Sequence, residues 1–240
     1  MAPGTDVMLR VKNVHGYYGR AHILDGMSFE AGPGEVVAIL GRNGAGKSTT
    51  FKTIMGLVRA AEGEIAFQGT RIERLATHAI PRLGLGYVPE DRRIFTELTV
   101  MENLEVGRQP PRAGAPHWTP EKLFQIFPNL GEMRDRPGGR MSGGEQQMLT
   151  IARTLMGNPS LVLLDEPSEG LAPMIVDQMA RAIKGLKAEG LTVVLSEQNL
   201  HFATGVADRA VIIEKGQARF AGTMAELMAN DDARAQYLMV

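Results

Sequence analysis

Cysteine is absent: the count is 0 in 240 residues, which excludes disulfides and thiolate metal sites and mildly favours a cytoplasmic location. Neither sign of charge is in surplus. Lys+Arg is 26 against Asp+Glu 27, a formal net charge of -1, so the basic excess of an electrostatic nucleic-acid binder is missing. No apolar run approaches the roughly 20 residues that cross a bilayer. The start, MAPGTDVMLR, lacks the apolar core of a signal segment. Work at a membrane therefore requires another chain to bring this one there. Internal repeats and low-complexity tracts are also lacking, and the length is ample to bury a sizeable core.

What is present alternates short apolar runs with turns. MLRVKNV, ILDGMSFEAGPGE and VVAIL read as strands, the last apolar throughout, as expected of a parallel strand covered on both faces. A helix, TTFKTIMGLV, follows GRNGAGKST, and EGEIAFQG reads as another strand and turn. From about Glu90 to Gly157 the pattern becomes helical, broken by the loop GRQPPRAGAP. Strands then return in LVLL and TVVLS. Between them lies a helix from Pro173 to Gly190, with Ile175, Met179, Ile183 and Leu186 on one stripe. RAVIIEKGQARFAG reads as a hairpin, and a short helix closes the chain. The expectation is an α/β nucleotide-type core with a helical insert at about 90–157.

Gly41, Arg42, Asn43, Gly44, Ala45, Gly46, Lys47 and Ser48 fit the phosphate-binding pattern G-x-x-x-x-G-K-[ST], and Thr49 follows in the helix. Glycines let backbone N–H groups wrap a phosphate, and the helix start adds its positive end. Lys47 is placed to reach the β- and γ-phosphates, and Ser48 to ligate Mg2+. A Gly-rich turn is the plain alternative, opposed by the apolar strand before it and the helix after it. LVLLDEP is a buried strand ending in two acids. Asp165 suits a Mg2+ ligand and Glu166 a base toward the attacking water. Alone, such a strand end is common; beside a phosphate loop it gains meaning.

RMSGGEQQML is harder to explain. Ser142 and Glu145 form a capping box, with Met148, Ala152 and Leu155 as the apolar stripe of a helix ended by Gly157 and Pro159. A cap needs no paired glycines, each costing up to about 1 kcal/mol in a helix interior. Gly143 and Gly144 are therefore read as a second phosphate-approach surface, serving a nucleotide held by another subunit in a two-fold, head-to-tail pair.

GRNGAGKST, MSGGEQQ and LVLLDEP, in that order with a helical segment before the second, resemble the ATP-binding subunit of an ABC transporter. The resemblance spans the chain from about Met8, with MSGGE departing mildly from the commoner LSGGQ. It implies an α/β P-loop NTPase core with an antiparallel β subdomain and an inserted helical subdomain. Residues 1–7 are then a flexible N-terminus and 8–240 the ATP-binding domain. The implied activity is a Mg-dependent ATPase, with ATP and Mg2+ as cofactors, that dimerises around two ATP. Tyr18 matches the aromatic that stacks on adenine, and Ser142, Gly143, Gly144 and Glu145 match the segment that reads ATP in trans. SEGLAP resembles the loop that touches the partner subunit.

Two positions depart from the family. Glu90 stands where most members have a glutamine contacting Mg2+ and the attacking water, and Gln198 where most have a histidine on the γ-phosphate. Gln198 can donate a hydrogen bond but cannot titrate. These departures, with MSGGEQQM, DEPSEGLAP and EQN, resemble the ATP-binding proteins of branched-chain amino acid and related importers. The partners so implied are a second ATPase subunit of the same or a related chain, integral membrane permease subunits and, indirectly, a solute-binding protein. No nucleic acid is expected. The location implied is the cytoplasmic face of the cell membrane, peripheral, and soluble when isolated. The competing readings are a soluble ABC ATPase without a transport role and a small-molecule kinase. The first lacks a visible coiled coil, zinc cysteines or basic face; the second leaves MSGGE unexplained. Arg92 and Arg93 read either as a solvated edge or as part of a docking surface for the permease. The 5 histidines and 14 methionines show no metal or haem pattern, and His15 and His22 read as strand or loop residues.

Overall fold

A computed structural model describes residues 7–238 of the chain. The expected flexible segment 1–7 lies outside these apart from Val7. The chain begins with β1 (Leu9–Tyr18), β2 (Ala21–Ala31), β3 (Val36–Leu40), α1 (Lys47–Ile54), β4 (Ala60–Phe67) and β5 (Thr70–Arg71). It continues with α2 (Ala79–Arg82), β6 (Leu85–Val88), α3 (Val100–Gly107), α4 (Pro120–Ile126), α5 (Pro128–Glu132), α6 (Gly143–Leu155) and β7 (Leu161–Asp165). The last elements are α7 (Pro173–Ala188), β8 (Thr192–Glu197), α8 (Leu200–Val206), β9 (Arg209–Glu214), β10 (Gln217–Thr223), α9 (Met224–Ala229) and α10 (Asp231–Tyr237).

Two sheets form. An antiparallel one has the order β2-β1-β4-β5; a six-stranded one has the order β10-β9-β3-β8-β7-β6. Within the second, β9, β3, β8, β7 and β6 run parallel, and β10 closes the edge antiparallel to β9. Period-two alternation explains why VVAIL is apolar throughout. Val37 and Ile39 join Phe51, Ile54 and the antiparallel sheet in one core, while Val36, Ala38 and Leu40 join the helices in the other. Both faces of β3 are covered by core, which favours apolar side chains at every one of its positions. Parallel strands end together, which brings the loops after β3, β6, β7 and β8 to one edge.

The helices follow their caps. α7 has Pro173 in its first turn, buries Met179, Ile183 and Leu186, and stops where Gly190 adopts φ 86. α3 and α6, between β6 and β7, both begin with complete capping boxes, Thr99 with Glu102 and Ser142 with Glu145. The β9–β10 hairpin turns through Lys215 and Gly216, both at positive φ, as a two-residue turn matched to strand twist requires. Two expectations shift. The helix after the phosphate loop starts earlier, at Lys47, and ends at Ile54. The closing helix is two helices, because Asn230 leaves the helical conformation while its side chain caps α10 through Ala233 N. Among the described residues no helix is long and apolar enough to cross a membrane.

Candidate functional site

The strand ends meet at the phosphate loop. Gly46 sits at φ 113, a conformation closed to most side chains, and turns the chain into α1 without providing a side-chain cap. The first turn of α1 also holds no acid, so its N–H donors have no carboxylate of their own. A cavity of about 410 Å3 lies over this turn, lined by Asn43, Gly44, Gly46, Lys47, Ser48 and Thr49 from the loop and by Glu90, Glu166 and Glu169 from across the site. Gly41 and Arg42 close the loop from beneath: Gly41 N donates to Glu197 O, and the Gly41 and Arg42 carbonyls accept from Lys47 Nζ at 2.8 and 3.2 Å. Ala45 anchors the loop by accepting from Gly216 N.

Lys47 and Glu166 are almost wholly buried, at 3% and 6% exposure, and form an ion pair of 3.1 Å. Such a pair in low dielectric holds both chains in one geometry, and removal of either partner leaves an uncompensated charge. Gln198 Nε2 donates to the other oxygen of Glu166 at 3.1 Å. The amide expected on the γ-phosphate thus orients the acid in the structure. Glu166 itself has φ 45, a left-handed backbone that residues with a side chain rarely adopt, held by its N–H donating to Ser196 Oγ and Ser196 O.

Asp165 ends β7 with its carboxylate surrounded by hydroxyls. Ser48 Oγ and Ser196 Oγ donate to Oδ1 at 3.1 and 2.7 Å, and Tyr87 OH donates to Oδ2 at 3.2 Å. Burial pushes the Asp165 carboxyl above its ordinary range against the pull of these donors, and pushes the Tyr87 phenol up as well. A buried carboxylate with hydroxyl neighbours and no ion pair among the described residues is a donor set that a hard cation fits. Glu197, also buried and pushed up by burial, accepts from the N–H groups of Ser168, Gln198 and Asn199, tying the loops after β7 and β8 together. Glu169 shares a hydrogen bond with Glu166 and lies near Glu90 and Glu197, which raises its carboxyl to about 7.

Of the residues expected from sequence, the structure brings the phosphate loop, Glu90, Asp165, Glu166 and Gln198 together. Tyr18 is 48% exposed at the end of β1. Ser142, Gly143, Gly144 and Glu145 do not line the cavity. Their glycines also have in-chain neighbours that the sequence reading did not foresee. A Cβ on Gly144 would come within 2.6 Å of Ile175 Cγ2, and one on Gly143 would meet the Arg92 guanidinium. Tyr87, Ser196, Glu169 and Glu197 escaped the sequence reading. Each lies within or next to a strand end or loop already recognised, but nothing local says which way the side chain turns.

Comparison with known proteins agrees with this geometry. Residues 24–169 match the family model described as ABC transporter. The high-affinity branched-chain amino acid transport ATP-binding protein BraG of Pseudomonas aeruginosa is 43% identical over 96% of this chain and 99% of its own. The lipopolysaccharide export system ATP-binding protein LptB of Haemophilus influenzae is 34% identical over 96% of this chain and 97% of its own. A crystal structure of a nucleotide-free ATP-binding cassette from an ABC transporter superposes with a TM-score of 0.80 at 28% identity, covering 94% of this chain and 96% of that one. This chain belongs to the ABC transporter family, as an ATP-binding and ATP-hydrolysing subunit with the α/β P-loop fold of that family's cassettes.

Proposed function

We propose that this chain is the ATPase of an importer for branched-chain amino acids or related small polar solutes. It would dimerise around two ATP and drive separate membrane permease subunits from the cytoplasmic face, with a solute-binding protein upstream. The observation that carries the ATPase half is the buried Lys47–Glu166–Gln198 chain set beside Ser48 and Asp165. The 43% identity to BraG over nearly the whole of both chains supports the solute class.

Mg-ATP, when bound, supplies the γ-phosphoryl group and a cation that offsets its charge. The α1 N-terminus and Lys47 bind the phosphates, which requires Lys47 to leave the Gly41 and Arg42 carbonyls. Ser48 Oγ and Asp165 Oδ1, hydrogen-bonded to each other here, would be the oxygens that hold Mg2+, with Glu90 on the cavity wall as a third. Glu166 accepts a proton from the attacking water as its oxygen bonds to the γ-phosphorus and the bond to ADP breaks. Gln198 aims Glu166. Tyr18 stacks on the adenine, and Ser142, Gly143, Gly144 and Glu145 read the partner's nucleotide. A groove of about 670 Å3 between α2 and the α3–α6 region, with exposed Leu57, Phe95 and Val106 on it, suits an apolar permease helix. Arg92 and Arg93 flank that region, Arg93 paired with Asp91.

Light scattering of Glu166→Gln with Mg-ATP, compared with ADP, tests the closure. A dimer only with ATP, abolished by Ser142→Arg, is expected. A monomer in both states with ATP bound assigns closure to a different ATPase partner or to the membrane subunits. The likeness to LptB favours export as a second reading. ATP turnover by the chain reconstituted with its permease in vesicles separates the two: stimulation by leucine with a binding protein supports import, and stimulation by lipopolysaccharide supports export.

A further inference from the structure

The β1–β2 hairpin gathers three groups that the sequence keeps apart. His15 Nδ1 and His22 Nε2 are 3.1 Å from each other, and Asp25 Oδ1 lies 3.6 Å from the first and 3.9 Å from the second. Regular pairing would not achieve this. His22 and Asp25 are three apart, an odd spacing that puts side chains on opposite faces of a strand. The hairpin contains bulges: Gly16 pairs with Leu24 but Tyr17 with His22, leaving Ile23 unpaired, and His15 stands opposite the Asp25–Gly26 pair. Gly26 at φ 78 is the kink that permits the second bulge. The bulges turn both β2 ligands to the side of His15, and the extruded Ile23 lines the nucleotide cavity instead.

We propose that His15, His22 and Asp25 form a binding site for one divalent transition-metal ion of the Zn2+ class, distinct from the nucleotide's Mg2+. The chemistry of the donors decides the cation. Two imidazoles and a carboxylate suit zinc and its first-row neighbours, whereas Mg2+ takes oxygen ligands. The three separations bracket the edge of about 3.4 Å of a tetrahedron around zinc bonded at about 2.0–2.1 Å, leaving a fourth position for water. The ligands are also held from behind. Gln217 Nε2 donates to the other Asp25 oxygen at 2.5 Å, and the Tyr17 ring stacks on His22 at 4.3 Å with the planes 8° apart. Such outer partners fix ligand orientation before the ion arrives. His22 is partly exposed, so an ion has a route in. Bound there, it ties β1 to β2 beside the turn that carries Tyr18.

Tag-free, full-length protein without nucleotide should be titrated calorimetrically with zinc sulfate in excess Mg2+, which masks the oxygen-rich nucleotide site. The expected result is one ion per chain and a rise in Tm with zinc. His15→Ala and His22→Ala should each lower affinity by more than about 100-fold, beyond the loss typical of an outer partner, with unchanged circular dichroism and unchanged Mg-ATP binding. Gln217→Ala should cost about 10-fold. Co2+ in place of zinc should give the visible absorption of a low-coordinate N/O site in wild type and lose it in both histidine variants. Wild type that binds no zinc, or zinc binding at full affinity in both histidine variants, overturns the proposal.

Discussion

The N-terminus of α1 has no side-chain cap, no acid in its first turn and Gly46 at φ 113, whereas α6 begins with Ser142 and Glu145 satisfying each other's donors. Both are glycine-containing starts, and both were read from sequence as phosphate sites. The difference lies in who satisfies the backbone. At α1 the donors face a cavity shared with Lys47, Ser48 and Glu166. At α6 the capping box closes the Ser142 and Glu145 donors, and Gly144 packs against Ile175 of α7, so this start is partly satisfied within its own chain and lies away from the cavity. One terminus is incomplete within a single chain; the other is stable there and acquires a nucleotide only if a second subunit brings it.

Five substitutions break or sharpen that contrast. Glu166→Gln should lower kcat by about 10²–10⁴ while ATP still binds, measured by steady-state turnover beside equilibrium nucleotide binding. Lys47→Ala should cost about 10²–10³ in kcat/KM and weaken ATP binding as well, since it removes the cation from the α1 site. Gly144→Ala should destabilise by about 1–3 kcal/mol in urea unfolding because its Cβ meets Ile175, and Ile175→Ala in the same chain should recover much of that. Failure of that rescue would return the glycine to a purely nucleotide role. Ser142→Ala should cost about 1 kcal/mol of stability through the lost cap, with ATP affinity of the isolated chain unchanged.

The smallest effect concerns pH. Glu169 is raised to about 7 by its hydrogen bond to Glu166 and the nearby acids, from an ordinary value of 4.5. The folded state therefore holds this proton more tightly than the unfolded chain, and the contribution is lost as pH rises from about 4.5 through 7. Nucleotide-free Glu169→Gln should have a flatter Tm profile across that window and a higher Tm than wild type at pH 8. Gln198 contributes no step there because an amide does not titrate.

How much was legible follows from how local each feature is. The phosphate loop is one contiguous stretch, and its glycines, lysine and serine act where they stand in the sequence. Asp165 and Glu166 were legible as the end of an apolar strand. Tyr87 and Ser196 come from β6 and β8 on either side of β7, and only strand order brings their hydroxyls to Asp165. His15 and His22, read as strand or loop residues, meet Asp25 because bulges break the alternation on which any strand reading rests. A packing reason for one of the paired glycines is hidden in the same way: a close neighbour 31 residues away, Ile175 against Gly144, leaves no mark in the local pattern.

Apolar period, caps and the phosphate-loop spacing were determined by the sequence alone, because each depends on neighbours within a turn or a strand. Which side chain completes the site was decided by tertiary structure, since register, bulges and parallel strand order set directions that no single segment contains. The same division separates the two helix starts. Their residues announce two N-termini rich in glycine, and only the tertiary structure shows that one faces a cavity of its own chain while the other packs on α7.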